Sequence, residues 1–276
     1  MARRSGESLP PPASLARRHF MGIAAAGTAR LSSIVIPSVL LASKSADALG
    51  ILPRGDPNRG RDHHCFGRGT LIQTVHGEMP IEHLTIGELV ITANGAIPIK
   101  WIGRRTIRRN ASARWHPSVM PIRVARFALD DQTPRKDLYL SEGHSLLIDG
   151  FLIPVKHLVN ERSIAIDRGV EKSETIEYFS IELDTHQVIF AEGAAAETFR
   201  YAGDQIAWDN RDEYEDLYGR EHKVMPPFAP HCRYKGGRAE VSALLRLAAS
   251  RFGDMRDPIQ IAYTRIAARA LLPMAA

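Results

Sequence analysis

The groups in this chain best suited to covalent chemistry are the thiols of Cys65 and Cys232, the imidazoles of His63, His64, His144 and His186, the Ser141 hydroxyl and the Asp184 carboxylate. A thiolate is the nucleophilic form of cysteine. At an ordinary pKa of ~8.5 little of it exists near neutrality, so a reactive cysteine needs a neighbour that takes its proton. An imidazole suits that task, and His63 and His64 are adjacent to Cys65 in sequence, with His144 and His186 further along. Residue type alone favours a blander reading: an isolated cysteine more often packs than reacts, and His63-His64 reads more readily as linker than as ligand. Cys65 and Cys232 stand 167 positions apart. An oxidising compartment would permit one disulfide, and spacing leaves open whether the two meet. No CxxC and no spaced Cys/His set marks a structural zinc site, so neither a metal nor another cofactor is expected.

The elements that must position these groups are short. From Cys65 onward β-rich runs alternate with turn signals: Thr70 to Val75, then Leu89 to Thr92, then the hairpin signal Asn94-Gly95 and the return Pro98 to Ile102. Further strands are expected over 119–124, 137–140, 145–153, 163–166, 175–183 and 187–191. Strands this short predict a mainly β fold of curled antiparallel sheets rather than a parallel α/β fold. After residue 200 the pattern turns helical. Tyr214, Leu217 and Tyr218 share one helical face ahead of Gly219, Val241 to Phe252 recur at helical spacing, and Asp257-Pro258 opens a third helix. These read as a small C-terminal helical appendage that packs on the β module or serves a protein partner.

Charge narrows the partners. The net charge is +5, but residues 1–48 hold six basic side chains and two acidic ones, leaving 30 against 29 of the totals 36 and 31. The basic run Lys100, Arg104, Arg105, Arg108, Arg109, Arg114 lacks interleaved aromatics and reads as a charged strand edge. No nucleic-acid partner is expected.

The leader has its own grammar. Arg17-Arg18 precedes His19 and the apolar pair Phe20-Met21. A weakly apolar run then leads to the small-residue site Ala46-Asp47-Ala48. This resembles a twin-arginine (Tat) export signal, which implies passage through the Tat translocase in the folded state, cleavage after Ala48 and a periplasmic or secreted location. The best apolar run, Ile34 to Ala42, falls far short of the ~20 residues of a membrane span. Residues 49–64, rich in Pro, Gly and Arg, read as a flexible lead-in.

From Cys65 the chain resembles a known family. Cys65-Phe66-Gly67-Arg68-Gly69-Thr70-Leu71-Ile72, with Thr74, Gly77, Pro80-Ile81-Glu82, Leu84, Gly87-Glu88 and Val90, is similar to the opening of a Hint domain, the self-processing module of hedgehog proteins and inteins. Ser141-Glu142-Gly143-His144 resembles the family's Thr-x-x-His block with serine for threonine. Tyr178 to Gly193 resembles the penultimate block, in which Asp184 and His186 precede a glycine. The likeness covers residues 65–199, and 200–276 follow as an extension. It implies that Cys65 attacks the carbonyl carbon of His64, turning the His64–Cys65 amide into a thioester. In that scheme His144 protonates the departing amine, Ser141 and a backbone N–H stabilise the oxyanion, and His186 and Asp184 assist proton transfer or thioester resolution. The substrate is the chain's own N-terminal segment.

The resemblance also departs from the family. Inteins end in His-Asn and a following nucleophile, whereas here the strand end reads Gly193-Ala194-Ala195-Ala196-Glu197-Thr198-Phe199, so splicing is not expected. With 1–48 removed, scission before Cys65 would free only the 16 residues 49–64. Three readings stand open: a self-processing protein, a catalytically silent relative that binds or builds, and a cysteine hydrolase acting in trans.

Overall fold

Alternation of apolar and polar residues produces the expected short strands, and the described residues fold as mainly antiparallel β-structure with two small α-helices. The computed structural model describes residues 64–110, 113–201, 208–220, 224–232 and 257–271. The export leader expected over 1–48, the lead-in over 49–63 and the helix expected around 241–252 lie outside the described residues.

In chain order the first strands are β1 (Phe66–Gly67), β2 (Leu71–Thr74), β3 (Gly77–Pro80), β4 (Leu89–Thr92), β5 (Gly95–Pro98), β6 (Trp101–Arg108) and β7 (Ile122–Val124). There follow β8 (Leu138–Leu140), β9 (Ser145–Ile148), β10 (Phe151–Pro154), β11 (Ile164–Ile166), β12 (Thr175–Glu182), β13 (Val188–Ala191) and β14 (Ala194–Glu197). One sheet has the order β11-β7-β8-β1-β12-β6. The other runs β10-β9-β14-β13-β2-β4-β5, with β3 paired to β2. Ile, Leu and Val from both sheets, with Phe66 and Phe179, make the main core.

Two hairpins of the second sheet share one device. In Thr74-Val75-His76-Gly77 the threonine hydroxyl accepts from the His76 amide and donates to the Gly77 carbonyl, at 3.1 and 2.8 Å. Thr92-Ala93-Asn94-Gly95 repeats it at 3.0 and 2.7 Å. The Asn94-Gly95 signal therefore marks a true hairpin with its loop one residue early. Ala93-Asn94 make the turn, and Gly95, at φ +108°, starts the return strand, a backbone angle that costs glycine little. The single strand expected over 145–153 is a hairpin instead: Asp149 (φ +51°) and Gly150 (φ +84°) turn β9 into β10, the paired positive angles that an Asp-Gly loop favours.

The two described helices both pack on the β-structure. Helix α1 (Arg211–Tyr218) ends at Gly219, whose N–H donates to the Glu215 carbonyl. It buries Tyr214 against Trp101, with ring centroids 5.1 Å apart. The Tyr214 hydroxyl also reaches Glu182, a buried carboxylate on β12 that Lys100 pairs at 2.6 Å. Helix α2 (Pro258–Arg269) starts where Asp257 accepts from the Ile259 amide, at 3.0 Å. Its Ile259, Ala262 and Ile266 join the main core. Burial of each isoleucine contributes roughly 1.5–3 kcal/mol against leaving it in water.

Candidate active site

Strand β1 is only two residues long, yet it lies between two partners. Its Phe66 stands opposite Leu140 of β8 and Phe179 of β12, both antiparallel. Continuing each register by one residue sets Cys65 against Ser141 on one side and Ser180 on the other. The bonds follow that geometry. The Cys65 N–H donates to Ser141 Oγ at 2.9 Å, and the Ser141 N–H donates to the Cys65 carbonyl at 2.9 Å. Across the strand, the Ser180 hydroxyl donates to the His64 carbonyl at 2.7 Å. Two serines thus hold the two ends of one peptide bond, His64–Cys65.

The tight turn after β8 brings His144 back beside β1, its ring 6.4 Å from that of His64 between centroids. Its amide bonds back to the Ser141 carbonyl at 3.0 Å, and its own carbonyl accepts from Val155 at 2.8 Å. The ring is fully buried, edge-on to Phe66 at 4.3 Å between centroids, and neither ring nitrogen has a hydrogen-bond partner of good geometry. Burial drives its pKa down to about 4, against the attraction of Glu197, so the imidazole is neutral at physiological pH. Cys65 is buried as deeply, beside Trp115, Met120, Ile176 and Tyr178. Burial pushes its thiol up to about 12, although Arg105 and a hydrogen bond from Ser141 pull the other way. At rest the proton therefore sits on sulfur.

A buried carboxylate organises the rest. Glu197 ends β14, whose Ala196 pairs with Leu146 of β9, so the Ser145 amide at the start of β9 donates to Glu197 Oε1 at 2.7 Å. His64 Nδ1 approaches the same oxygen at 2.6 Å. His186 Nε2 and His231 Nε2 face Oε2 at 3.3 and 3.5 Å, and the two rings stack 5.9 Å apart. Burial works to raise the Glu197 pKa. The adjacent His64 and the hydrogen bonds from His186 and His64 outweigh it, holding the carboxyl well below the usual range.

His231 arrives on a strap from the C-terminal extension. Leu152 of β10 donates to the Pro230 carbonyl and accepts from the Cys232 amide, each at 2.9 Å. The Phe228 amide donates to His186 Nδ1 at 2.9 Å. His186, Glu197 and His231 offer ligand atoms within 4.8 Å of one another, a spacing that could hold a divalent ion. The tautomer of His186 opposes this use. Its Nδ1 accepts from Phe228, so the ring proton of the neutral form lies on Nε2, the nitrogen turned to Glu197, whereas a metal ligand must offer a bare nitrogen and donate from the other.

Of the residues singled out from sequence, Cys65, Ser141, His144, His64 and His186 are brought together here. Asp184 is exposed on the bend between β12 and β13 and bonds to none of them. Cys65 and Cys232 form no disulfide. Ser141 holds the amide side of the bond, while the hydroxyl on the carbonyl side belongs to Ser180. Ser180 lies inside the Tyr178 to Gly193 block without a role of its own there, and Glu197 and His231 carry no motif. A serine inside the apolar run Tyr178 to Leu183, and a glutamate closing three alanines ahead of Phe199, were the available signals for the first two. Nothing in the sequence around His231 marks it.

A family model of the Hint domain matches residues 64–203, just over half of the sequence. A bacterial intein-like domain from Clostridium thermocellum is 12% identical over 50% of this chain and 99% of its own, with a TM-score of 0.36. The gp41-1 intein is 15% identical over 48% and 96%, with a TM-score of 0.33. The DnaB intein of Synechocystis is 11% identical over 49% and 98%, also at 0.33. No curated protein matches.

Proposed function

The chain belongs to the Hint domain family, and from that premise we propose that it cleaves itself before Cys65. In this reading the Cys65 thiol passes its proton to neutral His144 as sulfur attacks the His64 carbonyl carbon. The oxyanion forms where Ser180 donates, a contact worth roughly 3 kcal/mol in comparable sites. As the C–N bond breaks, His144 returns the proton to the Cys65 nitrogen, and the C–S bond remains as a thioester. Water or another nucleophile then takes the acyl group, and the thiol is restored. The observation that carries the reading is the pair of serines on one peptide bond, Ser141 at its N–H and Ser180 at its carbonyl.

Splicing has no part in this proposal, because Glu197-Thr198-Phe199 offers no asparagine to cyclise. We further propose that residues 1–48 export the chain through the Tat translocase, with Arg17 and Arg18 as its signal. Their replacement by lysine should then leave the protein in the cytoplasm in a fractionation assay.

The test of self-cleavage is the intact mass of the full chain carrying a folded passenger ahead of Met1, with and without an added thiol. A fragment ending at His64, formed faster with thiol and absent from Cys65→Ala, is the expected result. An unbroken chain in every sample would favour a silent relative, for which the deep burial of the Cys65 thiol is the supporting observation.

A further inference from the structure

The side chain ahead of the scissile bond is held as closely as the bond itself. His64 is 6% exposed and Glu197 1%, so their contact is shut away from solvent. A buried ionised carboxylate is tolerated only where donors surround it. Four groups face Glu197: the Ser145 amide and His64 within hydrogen-bond distance of Oε1, and the His186 and His231 rings at 3.3 and 3.5 Å from Oε2. Three of these lie after the cleavage point and stay with the module. The fourth, His64, belongs to the segment that scission would remove.

We propose that Glu197 is a specificity-determining residue that reads the side chain just before the scissile bond and selects histidine there. The proposal rests on self-cleavage at Cys65 and names its acyl donor, a peptide segment ending in a short side chain with an N–H at the position of His64 Nδ1. An apolar residue would leave one carboxylate oxygen short of a donor. Aspartate would set a second negative charge against a buried one. Lysine and arginine carry their N–H groups too far from the backbone for an enclosed contact at this depth. The anchoring has a chemical purpose. With the His64 ring on Glu197 and its carbonyl on Ser180, rotation about the residue is restrained on both sides, and the carbonyl carbon stays presented to sulfur.

Asparagine and glutamine separate this from a merely structural pairing. The Asn amide N–H lies where His Nδ1 does, while the Gln amide N–H reaches further, so the two differ in reach with little difference in polarity. Thiol-induced release would be measured on the full-chain passenger fusion with His, Asn, Gln, Ala or Asp at position 64, and on Glu197→Gln. Melting temperatures would be taken in the Cys65→Ala background. Release within tenfold of the parent for His64→Asn, and slower by about a hundredfold for His64→Ala and His64→Gln, is expected, the scale of losing one partner of a buried pair. The loss from His64→Ala should shrink when Glu197 is already Gln. Equal release from the His, Asn, Gln and Ala chains, or rates that follow melting temperature rather than reach, would overturn the specificity role and leave self-cleavage standing. No release from the parent itself would sink both.

Discussion

Burial moves the two central groups in opposite directions, with the thiol of Cys65 pushed up to about 12 and the imidazole of His144 down to about 4. Each is neutral over the whole interval between, so the pair can pass one proton from sulfur to ring without first assembling a rare charged form. The consequence is a flat profile. The initial rate of thioester formation, trapped by hydroxylamine, should vary little between pH 6 and 9 and fall as pH drops toward the His144 pKa. A tenfold rise per pH unit would instead mean that free thiolate attacks and that His144 is not the base. The carbonyl side gives a second expectation at this scale. Ser180→Ala removes the hydroxyl on the His64 carbonyl and should slow trapping by about 10²–10³-fold, the usual effect of losing an oxyanion donor. Ser141→Ala acts on the other end of the bond, where it also frees the thiol of a hydrogen bond.

Strands do most of the positioning, because β1 is too short to fix anything unless both neighbours hold it, and β8 and β12 do so in register. The long pairing of β12 with β6 is backed in turn by the Trp101, Trp208 and Tyr214 rings. Gly103 lies under them: a methyl group there would meet Trp101 at 2.8 Å and Trp208 at 2.9 Å. Gly103→Ala should therefore cost about 1–3 kcal/mol as an overpacked contact, read from the urea midpoint. Much of this arrangement was legible beforehand, since β-branched runs and turn residues are local signals. The glycine stop of helix α1 and the Asp257 cap of α2 are local signals of the same kind. What was not legible depended on contacts between elements. Strand β14 is three alanines and a glutamate, residues with little intrinsic strand preference, and pairing with β13 and β9 alone makes it a strand. Glu197 closes that strand and is as unmarked as the strand itself. Ser180 was hidden for a related reason, because its role comes from a register that one strand's sequence does not contain. His231 reaches the site only because a strap pairs with Leu152.

For the molecule as a whole, the chemistry of the site becomes a term in its stability. Each displaced pKa links folding to pH, by about 1.4 kcal/mol per pH unit for each proton taken up differently by the two states. His144 falls from 6.5 to about 4, so its burial contributes fully above pH 6.5, and that contribution drains away as pH drops toward 4. Cys65 rises from 9.0 to about 12, so its contribution is whole below pH 9 and is lost as pH climbs toward 12. Glu197, held below its ordinary 4.5, adds a further loss in acid below that value. The stability of the chain should thus form a plateau from about pH 6.5 to 9 with a shoulder at each side, set by the same two groups that would pass the proton in catalysis. Urea midpoints in thiol-free buffer test the assignment. Cys65→Ala should flatten the alkaline limb between pH 9 and 10 and leave the acid limb alone. His144→Gln should take about one proton's slope from the acid limb, about 3 kcal/mol over the interval from 6.5 to 4. If both variants keep the parent's slopes on both sides, neither group carries its displaced pKa, and the flat rate profile loses its basis with them.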